Sequence, residues 1–498
     1  MNTHKHIGII GAGLGGLSAA LHLRRAGYDV TVYESNTRPG GRANRIEEAG
    51  FTFDTGPTLL NYPWVYEELF RACGADLHDV LELLPVDPSI RFIWPDDTTF
   101  TLSSDLVRLR EECERLAPGM GPDLMAFLAD ARHKTALSFG HLALRNVDHP
   151  LQWATLLSLR DWYATGAWRS LWSELGRFIR HPRIREAFAS YAMYLGGSPW
   201  ELPGLFSILP YGELAQGLWF PKGGMHELPR AMADLAARLG VTIHYESPVD
   251  SVRLVGGCVA GLVMTSGQEQ EHDLVVSNVD VPTTREQLFP DGPLRRNGEK
   301  LNQRLRMTPG VITFYWGLKG DYPELPHHSI FLPADFKTAF EALSVRHVIP
   351  DDLPFYVCAP SKSDPGMAPA GGTSFFALVP VPHLKQQPGV HWDHTVADIR
   401  SRIMARLRHH DIRLDERDLL VERVFTPEDW RVRFGLYEGS AFGAAHTLFQ
   451  MGPFRPPNRD RAVEGLYYVG ASTTPGTGVP MVVLGGQMTA ERIMHHAR

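Results

Sequence analysis

The chain has 498 residues, 44% hydrophobic and 21% charged, with a formal net charge of −7. That length exceeds one average domain and can bury a large core, while the charge gives no electrostatic reason to expect nucleic-acid binding. The polar opening Met1–Lys5 is followed by too short an apolar run for a secretory leader, and no stretch reads as a bilayer span of about 20 apolar residues.

His6–Ile10 is a short apolar run and predicts a buried strand. Gly11-Ala12-Gly13-Leu14-Gly15-Gly16 follows as a tight G-x-G-x-x-G turn, 17–26 carries apolar residues at helical spacing, and Asp29–Tyr33 predicts a second strand with Glu34 at its end. This order suits a dinucleotide. Gly11 reverses the chain, Gly13 lets a pyrophosphate approach the backbone, and Gly16 lets the helix lie close to the strand. Leu14 and Gly15 complete the turn, and the helix start directs free N–H groups and positive potential at the phosphates. Glu34 stands where an acid bonds ribose hydroxyls, about 20 residues beyond the turn.

Gly40-Gly41-Arg42 follows almost at once, two glycines permitting close passage of the chain and a guanidinium offering a fixed cationic fork. Then comes Gly50-Phe51-Thr52-Phe53-Asp54-Thr55-Gly56-Pro57-Thr58. Both segments resemble fingerprints of the FAD-binding amine oxidase and carotenoid desaturase superfamily. The resemblance implies FAD rather than NAD, with Gly41, Arg42, Pro57 and Thr58 at the cofactor.

A helix is predicted over 65–72, and paired strands at 91–94 and Thr99–Leu102 around Pro95-Asp96-Asp97. Helical patterns dominate 105–206 and predict a cap inserted into the cofactor domain. Within it Trp153, Trp162, Trp168 and Trp172 are interspersed with or followed by Arg160, Arg169, Arg177, Arg180, Arg183 and Arg185. Such a mixture suits an interfacial face against an anionic membrane, or a cap core and substrate channel.

Trp219-Phe220-Pro221-Lys222-Gly223-Gly224-Met225 precedes a predicted helix over 227–239 and a strand over 241–245. Strands at 247–254 and 259–264 predict a meander, and 273–277 another apolar strand leading to Asn278. The W-x-P-x-G-G-M segment resembles the same superfamily, which implies that the backbone of Val249 bonds the adenine. Strands are then predicted at 311–318, 355–359 and 374–380, with an amphipathic helix over 395–409, as the sheet of a substrate domain. His327-His328 and His409-His410 have no partner at metal-site spacing and are expected at the surface, and no metal is expected. Cys73, Cys113, Cys258 and Cys358 are widely spaced and are expected to be reduced.

Gly439-Ser440-Ala441-Phe442 and Phe454-Arg455-Pro456-Pro457-Asn458 open the last block. A strand over 465–469 runs into Gly470, a loop spans 471–478, and Val479-Pro480-Met481 opens a final helix, where proline suits the first turn. Gly485 and Gly486 permit close helix packing. A helix N-terminus beside a flavin would stabilise the negative charge that reduction places on the ring. G-S-A-F, F-R-P-x-N and L-Y-x-V-G-A-x-T-x-P-G-x-G-V-P together resemble the carboxyl end of the carotenoid desaturases, the phytoene dehydrogenase family. The resemblance spans the chain and is least distinctive in the cap and middle sheet.

It implies an α/β fold: a Rossmann-type FAD-binding domain (1–104, 219–290, 456–498) interleaved with a helical cap (105–218) and an α+β substrate domain (291–455). It also implies non-covalent FAD with Gly470, Val479, Pro480 and Met481 at the ring, and hydride transfer from a long isoprenoid polyene to flavin N5. A cytoplasmic protein docked on a membrane surface is expected, with oxygen or a quinone as electron acceptor. No catalytic residue is assigned; Glu438 and His446 flank G-S-A-F as candidate proton acceptors and are expected to be structural or solvent-facing. Three alternatives remain: a flavin amine oxidase, a carotenoid isomerase or oxygenase, and a lipid-binding escort without catalysis.

Overall fold

A computed structural model describes residues 5–496; Met1–His4 of the polar opening lie outside the described residues. Five parallel strands form the first sheet, in the order Leu466–Tyr468, Leu274–Ser277, His6–Ile10, Asp29–Tyr33, Thr242–His244. The chain therefore contributes to this sheet from its start, middle and end. His6–Ile10 reads as an unbroken apolar run because it is the central strand, covered on both faces.

The helix Leu14–Arg25 starts earlier than its periodicity suggests, with Gly15 and Gly16 inside its first turn. A Cβ on Gly16 would overlap the Gly11 carbonyl, so this position tolerates no side chain. The same helix packs against the final helix Val479–His496. There Ser18 Oγ donates to the Val483 carbonyl at 2.6 Å, and a Cβ on Gly486 would lie 2.5 Å from Ser18 Cβ. Glycine at 486 thus sets how closely the two ends of the chain approach.

A seven-stranded mixed sheet has the order Leu419–Phe425, Gly310–Lys319, Gly372–Val381, Phe355–Cys358, His328–Phe331, Ile90–Ile93, Thr99–Leu102. The last two strands, which the sequence division kept with the cofactor segments, join this sheet through parallel pairing of Ile90–Ile93 with His328–Phe331. Along Gly310–Lys319 alternate residues serve opposite faces. Ile312, Phe314 and Trp316 pack with Ile399, Ile403 and Leu407 of the helix Trp392–His409. Val311 and Tyr315 share the opposite core with Phe127, Leu171 and Phe188 of the cap.

The cap holds the helices Leu106–Leu116 and Gly121–Leu137 and a series of shorter ones. Its aromatic and basic residues divide into two sets. Trp172 stacks on Trp200 with centroids 5.0 Å apart. Arg169, Arg177 and Lys134 converge on the buried carboxylate of Glu174. The other set faces outward: Leu151, Leu159, Tyr163 and Trp168 are exposed, Leu159 at 90%. A small antiparallel meander, Val249–Val255, Cys258–Met264 and Glu269–Glu271, and two two-stranded sheets, Arg45–Glu48 with Phe51–Asp54 and Leu83–Pro85 with Trp219–Pro221, complete the strands. All four cysteines are free.

Candidate active site

A concavity of about 810 Å³ lies where the two sheets and the cap meet. One end is walled by Gly11, Gly13, Leu14 and Gly15 of the opening turn, with Glu34, Gly41 and Arg42 beside them. Pro57, Thr58 and Val249 line it, and so do Gly470, Val479, Pro480 and Met481 from the end of the chain. Gly16 is not on the wall; its place is the contact between helix and strand.

The arrangement fits a dinucleotide. Gly13 caps the opening helix without a side-chain acceptor, which leaves the first-turn N–H groups for a ligand. Gly40 and Gly41 run beside the turn, with Gly40 N donating to the Ala12 carbonyl at 2.8 Å. Both glycines have positive φ, 118° and 57°. Glu34 is buried and braces the turn: Oε2 accepts the Ala12 N–H at 2.7 Å and Oε1 the Asn36 N–H at 2.9 Å. Asn36 Nδ2 at 2.6 Å and Ser35 Oγ at 3.4 Å also donate to Oε1, so the acceptor capacity left for a ribose hydroxyl is on Oε2, which takes a single bond. Two helix N-termini, at Leu14 and Val479, open on the same cavity.

Arg42 donates to the Ala441 carbonyl at 2.8 Å, tying the opening fingerprint to the G-S-A-F block. The F-R-P-x-N motif acts from behind the wall. Arg455 is buried and donates to five carbonyls, including Thr473 at 3.0 Å, Ala444 at 2.8 Å and Ala471 at 2.5 Å. Asn458 Nδ2 donates to the Thr474 carbonyl at 2.9 Å. These two side chains shape the loop before the final helix, and the resemblance named the motif without this role.

Two wall residues escaped the sequence reading. Asn278, at the end of Leu274–Ser277, donates from Nδ2 to the Val469 carbonyl at 3.0 Å. Its Oδ1 lies under the glycine turn, 2.5 Å from where a Cβ on Gly13 would stand. Asp280 follows; burial raises its carboxyl pKa, while Ser472 and the charge of Arg42 lower it. Its Oδ2 has no partner among the described residues. The only signal in the chain was N-V-D directly after a strand.

Most of the remaining wall is apolar. The cap contributes Phe139, Leu142, Trp153, Leu205, Phe206 and Leu209, and the second sheet Val311, Ile330, Phe376 and Leu378. Trp153 and Met451 also line it, and Leu151, Phe449 and Phe454, close to them in the chain, are exposed.

Of the candidate proton acceptors, His446 reaches the cavity and Glu438 does not. Burial holds His446 well below the usual histidine pKa, hence neutral, and Thr477 N donates to its Nε2 at 3.3 Å. His327 and His328, expected at the surface, are instead buried. They lie beside Cys358, which pairs with His328 across adjacent strands, and ligand-type atoms of the three side chains fall within 4.8 Å of one another. The three meet because His328–Phe331 lies inside the second sheet with Cys358 opposite His328 on the neighbouring strand, a pairing that local sequence spacing does not signal. His327 Nδ1 bonds Ser363 Oγ at 2.6 Å and His328 Nδ1 bonds the Tyr356 hydroxyl at 2.6 Å. His410 is also largely covered and bonds Asp97 at 3.0 Å. Only His409 of the four is exposed.

Comparison with known proteins accords with this geometry. The model of the family "Flavin containing amine oxidoreductase" matches residues 14–494. The chain is 38% identical to a zeta-carotene-forming phytoene desaturase of Myxococcus xanthus, over 98% of this chain and 94% of the relative. It is 35% identical to a phytoene desaturase of Neurospora crassa, over 98% and 84% respectively. The solved structure of a putrescine oxidase shares the fold, with a TM-score of 0.62 and 17% identity over 99% of both chains. The chain belongs to the flavin-containing amine oxidoreductases, among their carotenoid desaturases, and its cofactor is FAD.

Proposed function

We propose that the protein dehydrogenates a carotenoid or related long isoprenoid polyene, inserting a conjugated double bond. The observation that carries this reading is the cavity itself. It begins at a dinucleotide-type turn and continues into an apolar channel lined by Phe139, Leu142, Trp153, Leu205, Val311 and Leu378. Such a wall offers little to a polar amine and much to a hydrocarbon chain. When bound, FAD supplies the two-electron acceptor that takes a hydride from the substrate.

In this reading the N–H groups at Leu14 and Gly15 and the Arg42 guanidinium hold the diphosphate. Glu34 takes the ribose hydroxyls, and the Val249 backbone the adenine. Gly41, Pro57, Thr58 and Gly470 let the chain pass close to the cofactor. Val479, Pro480 and Met481 bring the final helix N-terminus to the ring, where its positive potential favours added negative charge. Residues 1–104, 219–290 and 456–498, without the hairpin at 90–102, grip the cofactor non-covalently; 105–218 and 291–455 enclose the substrate. An external acceptor, oxygen or a quinone, completes the cycle.

The exposed Leu151, Leu159, Tyr163, Trp168 and Phe449 support docking of a cytoplasmic protein on a bilayer surface. Trp168 is covered on one face by the Arg169 guanidinium, 3.9 Å from the ring centroid, so aromatic and cationic groups present together. No helix among the described residues is long and apolar enough to cross a membrane. Docking lets a polyene pass from the bilayer to the channel without crossing water.

Expression in cells that accumulate colourless carotenoids tests the reading. Products with longer conjugation, seen as absorption shifted to longer wavelength, are expected. Unchanged pigments beside a flavin-loaded protein would refute it.

A further inference from the structure

A chain that is oxidised at more than one place has to move along its channel, and the closed end of the channel decides how far. A second chamber, of about 60 Å³, lies against the main cavity. Met193, Leu378, Phe442 and His446 line both spaces. These four side chains therefore form the partition between them.

The partition borders the cofactor end of the main cavity. Phe442 follows Ala441, whose carbonyl accepts from Arg42 at 2.8 Å. Thr477 N donates to His446 Nε2 at 3.3 Å, which ties His446 to the loop before the final helix. Leu378 comes from the strand Gly372–Val381 of the second sheet. Met193 comes from the cap, on the short helical turn Ser190–Leu195.

The members of the partition differ in freedom. Phe442 is pinned: its N–H donates to Thr308 Oγ1 at 3.2 Å, and its ring lies so close to Gly196 that a Cβ there would stand 2.6 Å from Cδ2. His446 is buried and meets Phe206 edge-on, with centroids 5.7 Å apart. Met193 is half-buried, and its unbranched, flexible side chain adapts to what it meets. It is the movable member.

The chamber suits the end of a hydrocarbon. Met307, Phe340, Leu343, Pro354 and Pro380 are on its wall. Its two acidic or basic residues, Arg306 and Glu201, are paired with each other, Nη2 donating to both carboxylate oxygens at 2.7 and 2.6 Å. They are engaged on one another rather than turned to a ligand. One water needs about 10–15 Å³ on the same measure, so this space takes a few carbons and not a ring system. An open isoprenoid end, one carbon bearing paired methyl groups, has that size and character.

We propose that this chamber receives the leading end of the polyene, with Met193 as the gate that sets how far the chain advances past the cofactor. The depth reached fixes which carbon pairs are presented for oxidation, and so how many double bonds one chain acquires. The proposal rests on the polyene reading above and adds to it the place where the chain halts. Leu343, on the helix Phe336–Ser344, lines the chamber and not the main cavity, so it probes the chamber alone.

The first test reads product spectra from cells that accumulate one colourless carotenoid. L343W, which fills the chamber, should lower the share of the most conjugated product by about tenfold, the discrimination one methylene commands in an apolar pocket, with flavin content unchanged. Opening the gate in M193A/L343W should return part of that share. Wild-type products from a flavin-loaded L343W overturn the proposal, and no recovery in the double variant removes the role of Met193. The second test uses the wild type alone and decides even where a variant fails to fold. Anaerobic reduction of its flavin in liposomes should be about tenfold slower or more with a polyene whose ends are closed into rings than with the open chain. Equal rates overturn the proposal. If no open polyene reduces the wild-type flavin, the polyene reading fails and takes this proposal with it; a wild type active on the open chain, with L343W giving the same products, sinks only the chamber.

Discussion

Glu34 and Arg42 show how far single residues can be read. Their types and spacing predicted a place at the cofactor, and both line the large cavity. What could not be read is that Glu34 also braces the Ala12 N–H and that Arg42 reaches the Ala441 carbonyl, because both bonds depend on tertiary approach. A hydrogen bond to a charged group contributes about 1.5–3 kcal/mol. E34A and R42A are each expected to weaken FAD retention by roughly 10- to 100-fold, measured by bound-flavin absorbance after dialysis. Full flavin occupancy in both would remove their assigned roles. Glu213, buried on the helix Ile208–Gln216, gives a second residue-scale prediction. Its folded pKa, about 7, lies above its ordinary value of 4.5. The folded state therefore binds this proton more tightly than the unfolded chain. The extra stability is full below the ordinary pKa and is lost as pH rises through about 7, with a ceiling of about 3 kcal/mol. E213Q should remove that slope from denaturation midpoints measured between those pH values. Glu213 was invisible in the sequence because nothing near it in the chain signals its burial against Tyr191, whose hydroxyl donates to it at 2.6 Å.

Among elements, the opening strand, turn and helix were the most legible, since a glycine turn between two apolar runs admits few other structures. The helix start was displaced to Leu14 because glycines read as turn residues, although here they form the first helical turn where side chains would collide. The contact between Leu14–Arg25 and Val479–His496 depends on Gly486. G486V should force the helices apart and cost about 1–3 kcal/mol, the usual range for overpacking, seen as a lower Tm and a looser hold on FAD. An unchanged Tm would show that the contact yields more easily than its geometry implies. The cap was legible only as helical. Its tryptophans were read as one group, yet Trp172 stacks inside while Trp168 faces solvent, because each short helix points its faces independently.

Across the whole molecule, the interleaving of segments was legible because the motifs of one site recur at the start, middle and end of the chain. The pairing of Ile90–Ile93 with His328–Phe331 was not, since partners more than 200 positions apart leave no local pattern. The exposed apolar face beside the channel belongs to this scale too, as it joins the cap to the segment at 448–454. L159E combined with F449E should reduce co-sedimentation with anionic liposomes while flavin content stays at the wild-type level. Undiminished binding would place the docking face elsewhere. The central claim is that FAD and a hydrocarbon polyene share this one cavity. Its most direct test is rapid anaerobic mixing of the yellow protein with a colourless polyene in liposomes, following the flavin and polyene absorption bands together. The account predicts bleaching of the flavin in step with the appearance of a longer conjugated chromophore. A flavin that stays oxidised with every polyene but is bleached by a simple amine would contradict it.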